Sequence, residues 1–124
     1  MTAQTGADVS AAEALVARYE TRAALLREAM TRVREGRAPD AVTAVCEVAL
    51  GGRGVQVDDP VHAEAGRIAT RLQAALGDPA RAMRYLVEGR IVAFGGRAPY
   101  EVLQAGEVEL LLSSLHALEH GLGA

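Results

Sequence analysis

The sequence predicts an all-α protein, a compact bundle of about six helices with a long first helix and short helices around a Gly-Gly-Arg-x-Pro turn near its C-terminal end. Three observations predict it. Half of the 124 residues are hydrophobic but only 3% are aromatic. The apolar content is therefore mostly Ala, Leu and Val, and Ala and Leu lose little side-chain freedom in a helix. Apolar residues also recur at steps of three and four, the spacing of one helical face. Finally, prolines stand where helices should begin and glycines where they should stop.

Residues 1–9 read as a loose arm. Ser10 followed by Glu13 forms a capping box, in which each side chain satisfies a free backbone N–H near the other. The first helix is expected from 10 to about 35, with Gly36 as its stop. Its predicted stripe is Ala12, Leu15, Val16, Tyr19, Ala23, Leu26, Met30 and Val33. A helix this long needs something to cover that stripe, as the spine of the domain or as a dimerisation element.

Pro39 suits the first turn of a second helix, which packs Val42, Val45, Cys46 and Ala49 and ends at Gly51, Gly52 and Gly54. A loop follows, with a short extended piece expected at 55–57. Asp59-Pro60 opens a third helix to about residue 76, with Val61, Ala65, Ile68, Ala69, Leu72 and Leu76 inward and Gly77 as its stop. Asp78-Pro79 repeats the signal for a fourth helix, carrying Met83, Leu86 and Val87 and ending near Gly89. The apolar stretch from Ile91 to Phe94 leads into Gly95-Gly96. Pro99 starts a short fifth helix through Val102 and Leu103, broken at Gly106. The last helix, expected over 107–120, sets Val108, Leu111, Leu112, Leu115 and Leu118 on one face, and Gly121 ends it. The chain divides into an arm (1–9), an N-terminal helical region (10–77) and a C-terminal helical region (78–124).

Charge narrows the function classes. Thirteen basic residues, all Arg, stand against sixteen acids, for a net charge of -3. A general nucleic-acid footprint needs a net basic face, which the chain as a whole lacks. The charge is unevenly spread. Arg27, Arg32, Arg34 and Arg37 form a basic run diluted by Glu28 and Glu35. No Arg or Lys follows Arg97, whereas Glu101, Glu107, Glu109 and Glu119 do. A partner with a cationic cleft would be favoured at that end. The single Cys46 forms no intrachain disulfide and lies in an apolar pattern, as a buried structural thiol does. The N-terminus lacks the apolar run of a signal peptide and no stretch is long enough for a membrane span, so a cytoplasmic, soluble protein is expected.

No catalytic constellation emerges, and the chain is not expected to be an enzyme or to need a cofactor. His116 and His120 are four apart and can converge on one metal, but the residue after His116 is Ala117 rather than the Glu of a metalloprotease helix. No Cys or third His stands nearby, although Glu119 adjoins in sequence. They are read as a solvated last turn where His suits the helix dipole, and no metal is expected. Gly51-Gly52-Arg53-Gly54 follows a helix rather than a strand and lacks the Lys-Ser/Thr of a phosphate cradle. Ser113 and Ser114 lie mid-helix with no strained turn to present them. Glu107 and Glu109 sit near a helix N-terminus, where the dipole accounts for them.

A helix-turn-helix needs two short helices joined by three or four residues. The loop between the second and third helices is much longer. The basic run Arg27, Arg32, Arg34 and Arg37 could touch phosphate, but with Glu28 and Glu35 interleaved it reads more simply as an ordinary charged helix face.

The last third is the most specific part. After Met83-Arg84-Tyr85-Leu86 come Ile91-Val92-Ala93-Phe94-Gly95-Gly96-Arg97-Ala98-Pro99-Tyr100-Glu101-Val102-Leu103, then Gly106-Glu107, a Leu-rich helix, and Glu119-His120-Gly121-Leu122. This ordered set resembles the toxin-binding domain of the Xre/MbcA/ParS antitoxin family, over about residues 78–124. Tyr85 takes the place where that family often has Trp. The resemblance implies an antitoxin that binds and sterically blocks a RES-type toxin, an enzyme that consumes NAD or uses it for ADP-ribosylation. It implies that Gly95, Gly96, Arg97 and Pro99 shape the binding surface, and that Glu119, Gly121 and Leu122 form the tail that reaches the toxin's cleft. The expected partner is a cognate protein toxin encoded by a neighbouring gene, with the chain itself a homo-oligomer. Many family members carry an N-terminal helix-turn-helix, and none is found here. A DNA-binding regulator using the basic run and a non-catalytic oligomerisation module remain the alternatives.

Overall fold

The computed structural model describes the backbone of residues 2–51 and 59–120, and the side chains of 9–51 and 60–120. Its described residues form six α-helices and one 3-10 turn, with no strand. They are α1 (Thr2–Arg34), α2 (Ala41–Gly51), α3 (Asp59–Leu76), α4 (Pro79–Glu88), the 3-10 turn Val92–Phe94, α5 (Pro99–Gln104) and α6 (Val108–Glu119). The chain is an all-α bundle, as its composition and spacing predict. None of the described helices is long and apolar enough to cross a membrane.

The helix starts follow local chemistry. Asp40 accepts the Thr43 N–H at 2.7 Å and caps α2, so Pro39 precedes the cap instead of filling the first turn. Asp78 accepts the Ala80 N–H at 2.7 Å, and Pro79 occupies the first turn of α4. At α5 the cap residue Ala98 has no side-chain acceptor; Glu101 reaches back to the Ala98 N–H at 2.9 Å and supplies half of a capping box. The first helix departs from expectation. It begins at Thr2, so the backbone of 2–9 is helical rather than a loose arm, and Ser10 and Glu13 lie within the helix. The loop expected over Gly52 and Gly54 and the extended piece expected at 55–57 fall outside the described residues.

Helix α2 is the centre of the bundle. Every residue from Val42 to Ala49 is buried, because α1, α3, α4 and α5 all pack against it. A helix surrounded on all sides has no solvated face, which is why its sequence is apolar almost throughout. The core joins Leu25 and Ala29 of α1, Ile68 and Leu72 of α3, Leu86 of α4, Val102 and Leu103 of α5, and Leu111 and Leu115 of α6. Helices before and after residue 77 thus share one core.

The buried ridge of α1 is Leu25, Ala29 and Arg32, spaced by four and three residues. The expected stripe does not face inward along its whole length. Leu26 and Val33 are only partly buried, and Leu15, Val16 and Tyr19 are exposed. Apolar residues occupy a broad arc in the second half of α1, and the position of α2 selects which line of that arc is covered.

Candidate functional site

The Ile91–Arg97 segment is a closed turn built on glycine. The Ile91 N–H donates to the Arg97 carbonyl at 3.2 Å, and the Gly96 N–H donates to the Ile91 carbonyl at 3.0 Å. Gly95 and Gly96 both have positive φ, 69° and 80°, a pair of left-handed conformations that side chains with a Cβ resist. Phe94 is buried and anchors the turn in the core. Arg97 fastens it from outside, with Nε donating to the Phe94 carbonyl at 2.8 Å and the guanidinium reaching the Glu107 carboxylate at 2.6 Å. That hydrogen bond raises the Arg97 pKa and lowers that of Glu107, since each charge stabilises the other.

So constrained, the turn holds Val92 out in solvent at 94% exposure. Beside Val92 runs an open groove of about 560 Å³ between the turn, α4 and α6. Its walls include Ile91, Phe94, Leu110 and Leu118, and its polar groups include Tyr85, Ser113 and Ser114. Tyr85 and Ser114 hydroxyls lie 3.4 Å apart, linking α4 to α6. Burial pushes the Tyr85 pKa up, against the opposing effect of the Ser114 hydrogen bond, so the phenol stays neutral and able to donate.

The described residues expected to meet a partner, Gly95, Gly96, Arg97, Pro99 and Glu119, do not line this groove. Gly95 and Gly96 are exposed and shape the turn, and Arg97 clamps it. Pro99 is buried in the first turn of α5 and presents no binding surface. Glu119 lies at the end of α6 and faces Arg71 of α3 at 3.5 Å. Gly121 and Leu122 lie outside the described residues. The groove's own walls, Val92, Leu110 and Leu118, were legible only as helix or turn residues, because which apolar side chains stay uncovered depends on the neighbours.

The basic run is not one exposed face. Arg32 is buried and spent on the Glu47 carboxylate at 3.3 Å, which removes it from any contact with phosphate. Arg37 pairs with Glu35. Arg27 and Arg34 are exposed on α1.

Two further groups have settled surroundings. Cys46 is wholly buried, and burial, aided by Asp40 and Glu47, pushes its pKa up and keeps the thiol protonated. At the end of α6, His116, Glu119 and His120 come together, with one ligand atom from each within 4.8 Å of the others. The carboxylate that adjoins the pair in sequence, Glu119, is thus brought beside both histidines. No family model matches this chain, and no curated protein or solved structure matches it.

Proposed function

We propose that this chain is an antitoxin-like protein that binds a partner enzyme, a RES-type toxin acting on NAD, and blocks its active site by steric cover. The observation that carries the reading is Val92, held on a rigid turn beside an apolar groove. A rigid apolar knob next to a groove is the sort of surface that protein partners cover, since it loses little entropy on binding and excludes water when docked. Within the stretch that resembles the antitoxin domain, Tyr85, Ile91, Val92, Phe94 and Leu118 line this groove, whereas Gly95, Gly96, Arg97, Pro99 and Glu119 do not. The acids after Arg97 favour a partner whose cleft is cationic, as a cleft for an anionic cofactor is.

The test is co-expression with the product of the neighbouring gene, followed by co-purification and a growth assay. The neighbour should arrest growth alone, and this chain should bind it and restore growth. Val92→Glu, and separately removal of residues 121–124, should abolish rescue while leaving helicity intact. A harmless neighbour, or full rescue by both variants, overturns the reading.

A second reading, self-association, is favoured by the first half of α1. Val9, Leu15, Val16 and Tyr19 are all about half exposed there, and a second copy would cover them.

A further inference from the structure

Away from the groove, the last turn of α6 gathers His116, Glu119 and His120. Residues three and four apart on a helix are surface neighbours, so the spacing stacks the three side chains on one side of that turn. The imidazole centroids lie 4.3 Å apart, with their planes tilted by 58°. Both rings and the carboxylate are exposed, so they reach an ion without moving the backbone.

We propose that His116, Glu119 and His120 form a binding site for a divalent transition-metal ion of the Zn²⁺ type. The ligands are one imidazole nitrogen from each histidine and one carboxylate oxygen of Glu119, with the remaining position open to water. The donor set carries the choice of ion. Two imidazoles and a carboxylate suit zinc and its late first-row neighbours. Ca²⁺ and Mg²⁺ take oxygen ligands and would leave the two nitrogens unused. Geometry agrees. In a tetrahedral site with bonds of about 2.0–2.1 Å, adjacent donor atoms lie about 3.3 Å apart. The three donors stand within 4.8 Å, a gap that torsions of exposed side chains close. The site also sits at a helix C-terminus, where the backbone dipole favours a cation.

One neighbour opposes the ion. Arg71 of α3 reaches the Glu119 carboxylate at 3.5 Å. A metal at this site must share that carboxylate with the guanidinium or displace it. Arg71 is therefore the residue whose removal should strengthen binding, a behaviour that nonspecific surface adsorption would not show.

The experiment titrates Zn²⁺ into the untagged full-length protein by calorimetry, with Co²⁺ as a spectroscopic substitute. One ion should bind per chain, raise the melting temperature, and give Co²⁺ the visible absorption of a low-coordinate nitrogen and oxygen site. His116→Ala or His120→Ala should weaken binding by about tenfold or more. Glu119→Gln should weaken it less, and Arg71→Ala should tighten it. His62→Ala, at the remaining histidine, should leave it unchanged. Each variant's helicity is checked by circular dichroism. Absence of Zn²⁺ binding in the wild type, or binding that survives replacement of both His116 and His120, overturns the proposal.

Discussion

Arg32 of α1 and Glu47 of α2 meet inside the helix pair, with the guanidinium Nε 3.3 Å from the carboxylate. Glu47 has no exposed surface at all, and Arg32 retains 8%. His62 of α3 touches the same carboxylate from the other side. A buried carboxylate is tolerated only when paired, because leaving it alone in the core costs the whole of its lost hydration. Arg32→Ala should therefore destabilise the fold by about 3 kcal/mol in urea denaturation. The double replacement Arg32→Met with Glu47→Leu should recover most of that loss, since an apolar pair of similar volume needs no desolvation. A double variant as unstable as the single one would show that packing, not charge, is at stake.

Gly89, between α4 and the turn, is held by close approach. A Cβ there would lie 2.6 Å from the Tyr85 carbonyl oxygen, which belongs to the backbone and cannot swing away. Gly89→Ala should cost about 1–3 kcal/mol. Gly66, inside α3, has no atom within 4 Å of a built Cβ. Gly66→Ala should stabilise by about 0.5–1 kcal/mol, because it removes backbone freedom from the unfolded chain. Thermal melts of the two variants should move in opposite directions.

The clasp between Arg97 and Glu107 is sensitive to acid. The hydrogen bond from Arg97 lowers the Glu107 pKa below its ordinary 4.5. A carboxylate with a depressed folded value contributes stability that is present above about pH 4.5, and loses it as pH falls through the lower folded value. The wild type should therefore exceed Glu107→Gln in stability at neutral pH, and the difference should vanish in acid. Both side chains are substantially exposed, so the difference should also shrink in high salt. A gap that is constant from neutral pH to below pH 3 would refute this account.

Val92 is exposed and packs on nothing in its own chain that burial would reveal. Val92→Glu should change stability by less than about 0.5 kcal/mol. Any loss of partner binding in that variant then reports on the surface and not on the fold.

Self-association through α1 makes a separate prediction. Val16→Glu combined with Tyr19→Ser should lower the molar mass seen by light scattering if a second copy covers that side. An unchanged mass in a protein that is already monomeric at high concentration removes the self-association reading.

By itself the sequence determined the helix inventory. Pro60, Pro79 and Pro99 each fall in the first turn of a helix, Pro39 just ahead of one, and Gly77, Gly89 and Gly106 follow helix ends. These signals are legible because a cap or a fixed φ acts within three or four residues of its own position. The Gly95-Gly96 turn was legible for the same reason. The tertiary structure alone decided which face of each helix is covered. It buried Arg32 in place of Leu15 and Val16, closed α2 in on every side, hid Pro99, left Val92 beside a groove and set Glu119 between Arg71 and two histidines. The Arg32–Glu47 contact spans 15 residues and the Arg71–Glu119 contact 48. Burial and charge pairing over such separations belong to the neighbour as much as to the residue, and the neighbour is supplied only by the packed bundle.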